Sequence, residues 1–264
     1  MGGQVKSSRI FYLHSLDSKN PEASASLFRE HLLMLLSTGL RPVHLDELVS
    51  HAPFDMSRGH FALTFDDGYA DNVDIALPVL LELGIPATLF VVTGCVGLSR
   101  QSSSAGNLLL QKKEMASRGD LGKWISSGMR LGSHTKYHKN SARSAEINFE
   151  SFVGELRESR EMLEEVAGEA VLDFCYPNGQ RGAFSELSRE AVSAAGFRRA
   201  CTTIFGSARH FHDPLALPRC GINVGDSPRD TRSRARGLQD FRRLVHLNRQ
   251  GVRKWGNGRS SLDT

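Results

Sequence analysis

The chain has 264 residues, of which 40% are hydrophobic and 23% are charged, and its formal net charge is +4 at pH 7. These proportions exclude a collagen, a coiled coil and a wholly disordered chain, and they fit one large globular domain. No run approaches 18 uninterrupted apolar residues, so we predict no membrane-spanning helix, and the polar N-terminus predicts no secretory signal. The four cysteines are scattered without a C-x-x-C pair, which favours buried free thiols over a disulfide framework.

Short apolar runs alternate with longer amphipathic stretches along the chain. In chain order we expect a strand at 10–13, a helix at 23–37, a strand at 61–65, a helix at 73–83, a strand at 87–93, a helix closing at 124–128, a strand at 129–133, a helix at 144–168, a strand at 171–176, a helix at 186–195 and a strand at 197–203. This βαβα alternation predicts an α/β fold on parallel strands, and it leaves open whether the sheet is open or closed. Residues 94–120 form the one long irregular stretch, which is typical of a functional loop or a disordered segment.

Ionisable side chains follow four of the expected strands. They are His14, Asp66, Asp67, His134, His138 and Tyr176. Functional side chains of parallel α/β proteins gather at the carboxyl ends of the strands, where the strand-to-helix loops converge. We therefore expect these side chains to lie on one face of the molecule.

The histidines four residues apart, His134 and His138, favour a metal site. Two imidazoles at this spacing can face one point, and one carboxylate from Asp66 or Asp67 would complete a two-histidine, one-carboxylate set. Such a set suits Zn²⁺, Fe²⁺, Co²⁺ or Mn²⁺ and leaves open positions for water and substrate, as catalytic sites do. Each motif alone has a plainer interpretation, since histidines at this spacing also occur on surfaces and an Asp-Asp-Gly run also forms capping turns.

These runs resemble the motifs of the polysaccharide deacetylases. Residues 61–68 resemble the T-F-D-D-G motif, residues 131–138 the H-[ST]-x-x-H motif, residues 174–179 the third motif, and residues 217–219 the L-P-R segment. The likeness covers about residues 9–224. It implies a distorted, incomplete (β/α) barrel of about seven parallel strands. This catalytic domain would occupy residues 1–226, and a basic C-terminal tail or helix would occupy residues 227–264.

The resemblance also implies a role for each motif residue. Asp67, His134 and His138 would hold a divalent metal, with Asp66 as the general base and Thr135 bracing the metal loop. The expected metal is Zn²⁺, with Co²⁺, Mn²⁺, Fe²⁺ and Ni²⁺ left open.

Four further residues concern the remaining catalytic roles. The backbone N–H of Tyr176 would help to stabilise the oxyanion. The third motif lacks its usual arginine, and Arg219 is expected to supply that guanidinium from another strand end. The general acid is expected to be His14, which resembles the N-terminal histidine of a circularly permuted subgroup. The alternative is His246, the one late match to the family's L-x-H motif, which we interpret as a surface helix residue.

Together these features predict a metal-dependent hydrolase that removes the N-acetyl group from an amino sugar in an oligosaccharide, polysaccharide or glycoconjugate and releases acetate. Two alternatives stay open. One is another metal-dependent amidase or esterase acting on a small or lipid-linked sugar. The other is a non-catalytic carbohydrate-binding homologue. The expected partner is an N-acetylated sugar, and no nucleic acid is expected because no basic stripe interleaved with aromatic residues is present.

The positive charge is concentrated in residues 227–264, where nine arginines and one lysine face three aspartates. The plainer interpretation is a solvated, partly disordered end. The alternative is peripheral contact with an anionic membrane surface. With no secretory signal expected, we predict a cytoplasmic protein that such contact would place at the inner membrane face.

Overall fold

The structure is a computed structural model that describes residues 8–50, 59–98, 113–207 and 212–237. Its strands are β1 (Arg9–Leu13), β2 (Arg41–Pro42), β3 (His60–Phe65), β4 (Ala87–Val91), β5 (Arg130–Ser133), β6 (Asp173–Cys175), β7 (Arg199–Cys201) and β8 (Cys220–Gly221). Its α-helices are α1 (Pro21–Ser37), α2 (Leu45–Val49), α3 (Leu77–Leu83), α4 (Arg118–Ser126), α5 (Ser141–Ile147), α6 (Phe149–Ala167), α7 (Glu186–Ala194) and α8 (Pro228–Ala235). A π-helical turn, Asn72–Ala76, precedes α3, and a 3₁₀ turn, Thr93–Cys95, follows β4.

The strands form one parallel sheet in the order β7-β6-β5-β4-β3-β1-β8, and β2 pairs with the start of β3. This curled path of seven parallel strands, with helices outside it, is the distorted, incomplete (β/α) barrel that the resemblance implied. Leu217 forms a bridge with Cys201 of β7, and β8 then pairs with β1. The short segment from Leu217 to β8 therefore contacts both edges of the sheet, and it carries Arg219 between them.

The barrel centre is apolar and closely packed. Strands β3 and β4 are buried at every position, because helices cover one side of the sheet and the opposite strands cover the other. Phe65 of β3 makes edge-to-face contacts with Phe28 of α1 and Trp124 of α4, with ring centroids 5.9 Å apart in both pairs. Truncating such a buried ring costs about 3–5 kcal/mol of unfolding free energy. The strands are therefore rigid supports for the side chains at their carboxyl ends.

Some elements differ from those expected. The helix expected at 144–168 is two helices, because Asn148 has an extended backbone and its Oδ1 accepts the N–H of Ser151 at the start of α6. The helix expected at 73–83 begins with the π-helical turn, and Pro78 at the start of α3 has no N–H to donate. The two-residue strands β2 and β8 were not expected, since so few residues carry no periodicity.

Helix α8 packs against α1, although it belongs to the basic segment. Thr231 of α8 is buried, and its Oγ1 lies 2.7 Å from Nδ1 of His31 on α1. Residues 238–264 lie outside the described residues. The division of the chain after residue 226 therefore stays a prediction.

Three further expectations concern the whole chain. All four cysteines are buried and free, as expected. In the described ranges, no helix combines the length and the apolar character needed to cross a bilayer. Of the irregular stretch at 94–120, residues 99–112 lie outside the described residues, and α4 begins at Arg118.

Candidate metal centre and active site

Two strand ends deliver the expected metal ligands to one point. Asp67 follows β3, His134 and His138 follow β5, and β4 lies between these strands. The Nε2 atoms of His134 and His138 lie 3.5 Å and 3.3 Å from Oδ1 of Asp67. One ligand atom from each of the three residues lies within 4.8 Å of the others. The structure therefore brings the whole expected ligand set together.

Left-handed backbone conformations turn the chain at both strand ends. Asp67 has a φ of 75°, Thr135 of 66° and His138 of 53°. Each such conformation costs a non-glycine residue about 1–3 kcal/mol, which the surrounding structure must offset. Gly68 follows with a φ of 82°, and a Cβ at this position would lie 3.2 Å from the side chain of Val91. Only glycine meets both demands, and this turn directs Asp66 and Asp67 to different partners.

A hydrogen bond orients the imidazole of His134, and another anchors the backbone of His138. Nδ1 of His134 lies 2.7 Å from the carbonyl oxygen of Cys175, so the proton sits on Nδ1 and Nε2 is directed toward Asp67. The backbone N–H of His138 donates to Oγ1 of Thr135 at 2.8 Å. This is the bracing contact that the resemblance implied for Thr135. Such outer contacts fix the orientation of metal-binding histidines.

The donor set fits a divalent cation. Oδ1 of Asp67 is buried and accepts no hydrogen bond within the described part of the chain. Burial raises the pKa of Asp67, but the two imidazoles lower it further, so that the carboxyl lies well below its usual range and is ionised. One carboxylate oxygen and two imidazole nitrogens converge on one point, which is the arrangement that a divalent cation needs. Two nitrogens and one oxygen are ligands typical of zinc and its neighbours.

A buried ion pair holds Asp66. Nη1 and Nη2 of Arg219 each donate to one carboxylate oxygen of Asp66, both at 2.7 Å. Arg219 also donates to Oγ1 of Thr64 at 2.9 Å and, from Nε, to the carbonyl oxygen of Thr202 at 2.8 Å. Its guanidinium lies 4.4 Å from the ring centroid of Tyr12. These contacts hold the guanidinium of Arg219 in one position. The guanidinium in turn fixes the plane of the Asp66 carboxylate.

The charges around Asp66 keep it ionised. Burial is the largest single influence and raises its pKa, but the charge and hydrogen bonds of Arg219, together with the charges of His134 and His14, outweigh it. The pKa of Asp66 therefore lies below its ordinary value. At neutral pH this carboxylate is free of a proton and held in one orientation.

His14 lies on the opposite flank of Asp66 from the metal ligands. It follows β1, which neighbours β3 on the side away from β4. Its ring is exposed and meets the ring of Tyr12 edge-on, with centroids 5.7 Å apart. Nδ2 of the buried Asn72 donates to the backbone carbonyl of His14 at 2.8 Å. The backbone of His14 is therefore anchored while its ring is open to solvent. The sequence did not predict this contact of Asn72.

The structure gives the N–H of Tyr176 another partner. This N–H donates to the carbonyl oxygen of Cys201 at 3.1 Å, within the pairing of β6 and β7. The Tyr176 hydroxyl donates to the carbonyl oxygen of Leu215 at 3.0 Å, and its ring stacks on Phe184. The expected oxyanion role does not follow from this arrangement, because the donor is already used.

His246, the alternative general acid, lies outside the described residues.

Sequence reasoning also missed Cys175 and Tyr69. The Cys175 thiol lies 3.0 Å from Nη2 of Arg219, and burial raises its pKa well above the usual range despite that cation. Burial, aided by the charge of Asp67, raises the pKa of Tyr69, so its phenol stays neutral beside that carboxylate. Both residues adjoin the motifs, Tyr69 after Asp-Asp-Gly and Cys175 before Tyr176. That adjacency was the available signal.

Comparisons with known proteins show the family of this chain. Residues 55–200 match the family model described as polysaccharide deacetylase. The Bacillus subtilis (strain 168) protein YxkH, which carries the provisional name of polysaccharide deacetylase, is 26% identical over 221 residues, covering 83% of this chain and 72% of that protein.

Two solved structures share the fold. IcaB from Ammonifex degensii superposes with a TM-score of 0.72 at 22% identity, covering 88% of this chain and 98% of IcaB. The Streptococcus pyogenes deacetylase PplD, solved in complex with acetate, superposes with a TM-score of 0.67 at 20% identity, covering 86% and 97%. The fold and the match to the family model define an enzyme of the carbohydrate deacetylase class. The chain belongs to the polysaccharide deacetylase family.

Proposed function

We propose that this protein is a metal-dependent deacetylase that removes the N-acetyl group from an amino sugar in an oligosaccharide, polysaccharide or glycoconjugate. One observation carries the proposal. The buried Oδ1 of Asp67 receives no hydrogen bond from the residues that the structure describes, and it faces two imidazole nitrogens at 3.3 Å and 3.5 Å, beside the oriented carboxylate of Asp66. A ligand set of this kind next to an ionised base is suited to hydrolysis of an amide.

Asp67, His134 and His138 would hold the metal. Zn²⁺ is the first choice for this donor set, with Co²⁺, Mn²⁺, Fe²⁺ and Ni²⁺ as alternatives. When bound, the ion supplies Lewis-acid polarisation of the acetyl carbonyl and lowers the pKa of water. The hydrogen bond from Nδ1 of His134 to the carbonyl oxygen of Cys175 turns that ring toward Asp67, and the hydrogen bond from the backbone N–H of His138 to Thr135 anchors the loop that carries the second ring.

Asp66 is the proposed general base. It accepts a proton from the attacking water as the new carbon–oxygen bond forms, and its lowered pKa leaves it ionised at neutral pH. A positioned acid or base contributes roughly 10²–10⁴-fold to the rate. Arg219 is a positioning residue, because it contacts Asp66 and not the reacting atoms.

His14 is the proposed general acid. The carbon–nitrogen bond breaks only when the leaving nitrogen gains a proton, and His14 would donate it. Its exposed ring and its place at the end of β1, the strand next to β3, support this role. The products are acetate and a free amino sugar.

Acetate release from N-acetylglucosamine oligomers tests the proposal. Zinc-loaded wild-type protein should release acetate, chelation should stop the release, and added Zn²⁺ should restore it. Asp66→Asn should bind the ion and lose about 10²–10⁴-fold in kcat. Activity that survives complete chelation would exclude the metal-dependent mechanism, and wild-type activity in Asp66→Asn would exclude this base.

The setting of the enzyme in the cell is a separate proposal. We propose a cytoplasmic enzyme whose basic C-terminal segment contacts the anionic inner membrane face. Deletion of residues 238–264 should then weaken binding to anionic vesicles. Unchanged vesicle binding would contradict it.

A further inference from the structure

The metal loop, residues 134–138, rests against helix α6. Oε1 of Glu155, on α6, accepts the backbone N–H groups of Lys136 and Tyr137, both at 3.3 Å. These two N–H groups lie between the proposed histidine ligands at the two ends of the loop. Two successive N–H groups that point to one oxygen form a concavity suited to an anion. Glu155 fills that concavity with a carboxylate of the same chain.

A second contact joins α6 to the loop four residues further along the helix. The buried hydroxyl of Ser159 lies 2.7 Å from that of Ser133, and Oγ of Ser133 accepts the N–H of Thr135 at 3.2 Å. Oγ1 of Thr93, in the 3₁₀ turn after β4, donates to Ser159 at 3.1 Å. Residues four apart lie on one face of a helix, so Glu155 and Ser159 form one supporting surface.

The same two peptide groups are also held from the side of the 3₁₀ turn. The N–H groups of Thr93 and Gly94 donate to the carbonyl oxygens of Thr135, at 3.1 Å, and Lys136, at 3.0 Å. A Cβ at Gly94 would lie 2.5 Å from the Lys136 oxygen, so only glycine permits this approach. Since the C=O and N–H of a trans peptide point in opposite directions, the loop lies clamped between this turn and Glu155.

The conformation of the loop requires such support, because two of its residues are left-handed. Thr135 has a φ of 66° and His138 a φ of 53°. A non-glycine residue keeps this conformation only where surrounding contacts impose it. The ring centroids of His134 and His138 lie 4.9 Å apart, and both Nε2 atoms face Oδ1 of Asp67. A loop released from α6 would relax, and the two rings would no longer face this oxygen together.

We propose that Glu155 and Ser159 of α6 are positioning residues for the metal centre. They set the separation and the orientation of the two imidazoles by fixing the loop between them. The inference rests on the proposed function and deepens it, since the loop has this importance only if His134 and His138 bind a metal.

Substitutions on α6 separate this support from the stability of the helix. Glu155→Ala removes the acceptor, and water can then reach the two N–H groups, because Tyr137 is exposed and Glu155 is half-buried. Glu155→Gln keeps an oxygen acceptor without the charge. Glu158→Ala is the matched control. Glu158 lies on the same helix and pairs with the ammonium of Lys136 in the same loop at 2.7 Å, but at the exposed surface, where such pairs contribute little.

Competition with a zinc-binding dye measures the affinity of each variant of the full chain. Glu155→Ala should bind zinc about 10–100-fold more weakly than wild type. Glu155→Gln should recover most of this loss, and Glu158→Ala should bind zinc as wild type does. Ser159→Ala should lose about tenfold, the lower end of that range, because Oγ of Ser133 still accepts the N–H of Thr135.

The visible absorption spectrum of bound Co²⁺ separates positioning from stability, because it reports the geometry of the ligands. The spectrum should change in Glu155→Ala and stay as in wild type in Glu158→Ala. Wild-type zinc affinity and a wild-type cobalt spectrum in Glu155→Ala would overturn the inference. If Glu155→Ala does not fold, Ser159→Ala carries the test, and wild-type affinity in that variant would overturn it.

The wild type distinguishes failure of this inference from failure of the proposed function. A wild-type protein that binds zinc but releases no acetate would overturn the proposed deacetylase, and the zinc affinities would still decide the role of α6. A wild-type protein that binds no zinc would overturn both.

Discussion

The two flanks of Asp66 are built differently. On one side the proposed metal ligands Asp67 and His134 are buried, with a left-handed backbone at Asp67 and a short hydrogen bond from the ring of His134. On the other side His14 is exposed, and a cavity lined by the segments after β1 and β8 and by the start of α1 lies beside it with a polar rim. The contrast indicates that the chemical step needs a fixed geometry. The exposed side beside His14, by contrast, must admit a ligand. Substitutions on the two flanks should therefore fail in different ways.

Asp67→Ala should have the largest effect. It removes the only carboxylate that faces both imidazole nitrogens of His134 and His138 in the described structure, so metal binding and acetate release should both be lost. Elemental analysis of the purified variant measures the metal directly. Stoichiometric zinc together with full activity would show that the ion is held elsewhere.

Arg219→Met should damage both stability and catalysis. Removing one partner of a buried ion pair costs about 3–5 kcal/mol, because the carboxylate of Asp66 is left buried without its guanidinium. Chemical denaturation measures this loss. In the wild type, the pair contributes stability at neutral pH, and that contribution is lost as the pH falls through the lowered pKa of Asp66.

The same substitution should move the pH profile of kcat/KM. Without the cation, the pKa of Asp66 rises, so the base becomes protonated at a higher pH and the acidic limb shifts upward. Arg219→Lys, which keeps the charge but not the bidentate contact, should shift the limb less. If the acidic limb were unchanged in both variants, the base that titrates in this limb would not be Asp66.

His14→Gln should lower kcat by about 10²-fold while leaving the metal centre intact. The side chain is exposed, so the free energy of unfolding should change by no more than about 0.5 kcal/mol. A wild-type kcat in this variant would show that another group is the general acid.

Thr135→Ala should have the smallest effect. It removes the oxygen that accepts the backbone N–H of His138, so zinc should bind about 10–100-fold more weakly. Thr135→Ser keeps the hydroxyl and is the matched control. Competition with a zinc-binding dye measures both affinities, and equal weakening in Ala and Ser would show that the hydroxyl is not the brace.

The sequence pointed to three residues that the structure brings together, because the motifs that carry them are local. Each ligand of the Asp67, His134 and His138 set stands at the end of an apolar run, and parallel strands bring such ends together without further information. The cavity side could not be predicted in the same way. Its walls come from polar segments without periodicity, and the two-residue strand β8 that positions one wall carries no signal of its own.

Two residues show where inference from motifs ends. The resemblance pointed to Arg219 as the missing guanidinium, but only the fold places it 2.7 Å from Asp66, a residue 153 positions earlier. The same resemblance assigned the N–H of Tyr176 to catalysis, and the fold pairs it with Cys201 instead. A motif shows which functional groups are present. The hydrogen-bond partners of those groups depend on which strand lies alongside them in the fold.

The sequence by itself determined the alternation of strands and helices, the residue types of the metal site and the membership of the family. These depend on periodicity and on groups close in the chain, which folding carries to the strand ends. Only the tertiary structure decided that Arg219 pairs with Asp66, that Tyr176 has no free N–H and that a cavity adjoins His14. The reason is that donors, acceptors and cavity walls are shared between segments far apart in the chain, and their separations exist only once the barrel has formed.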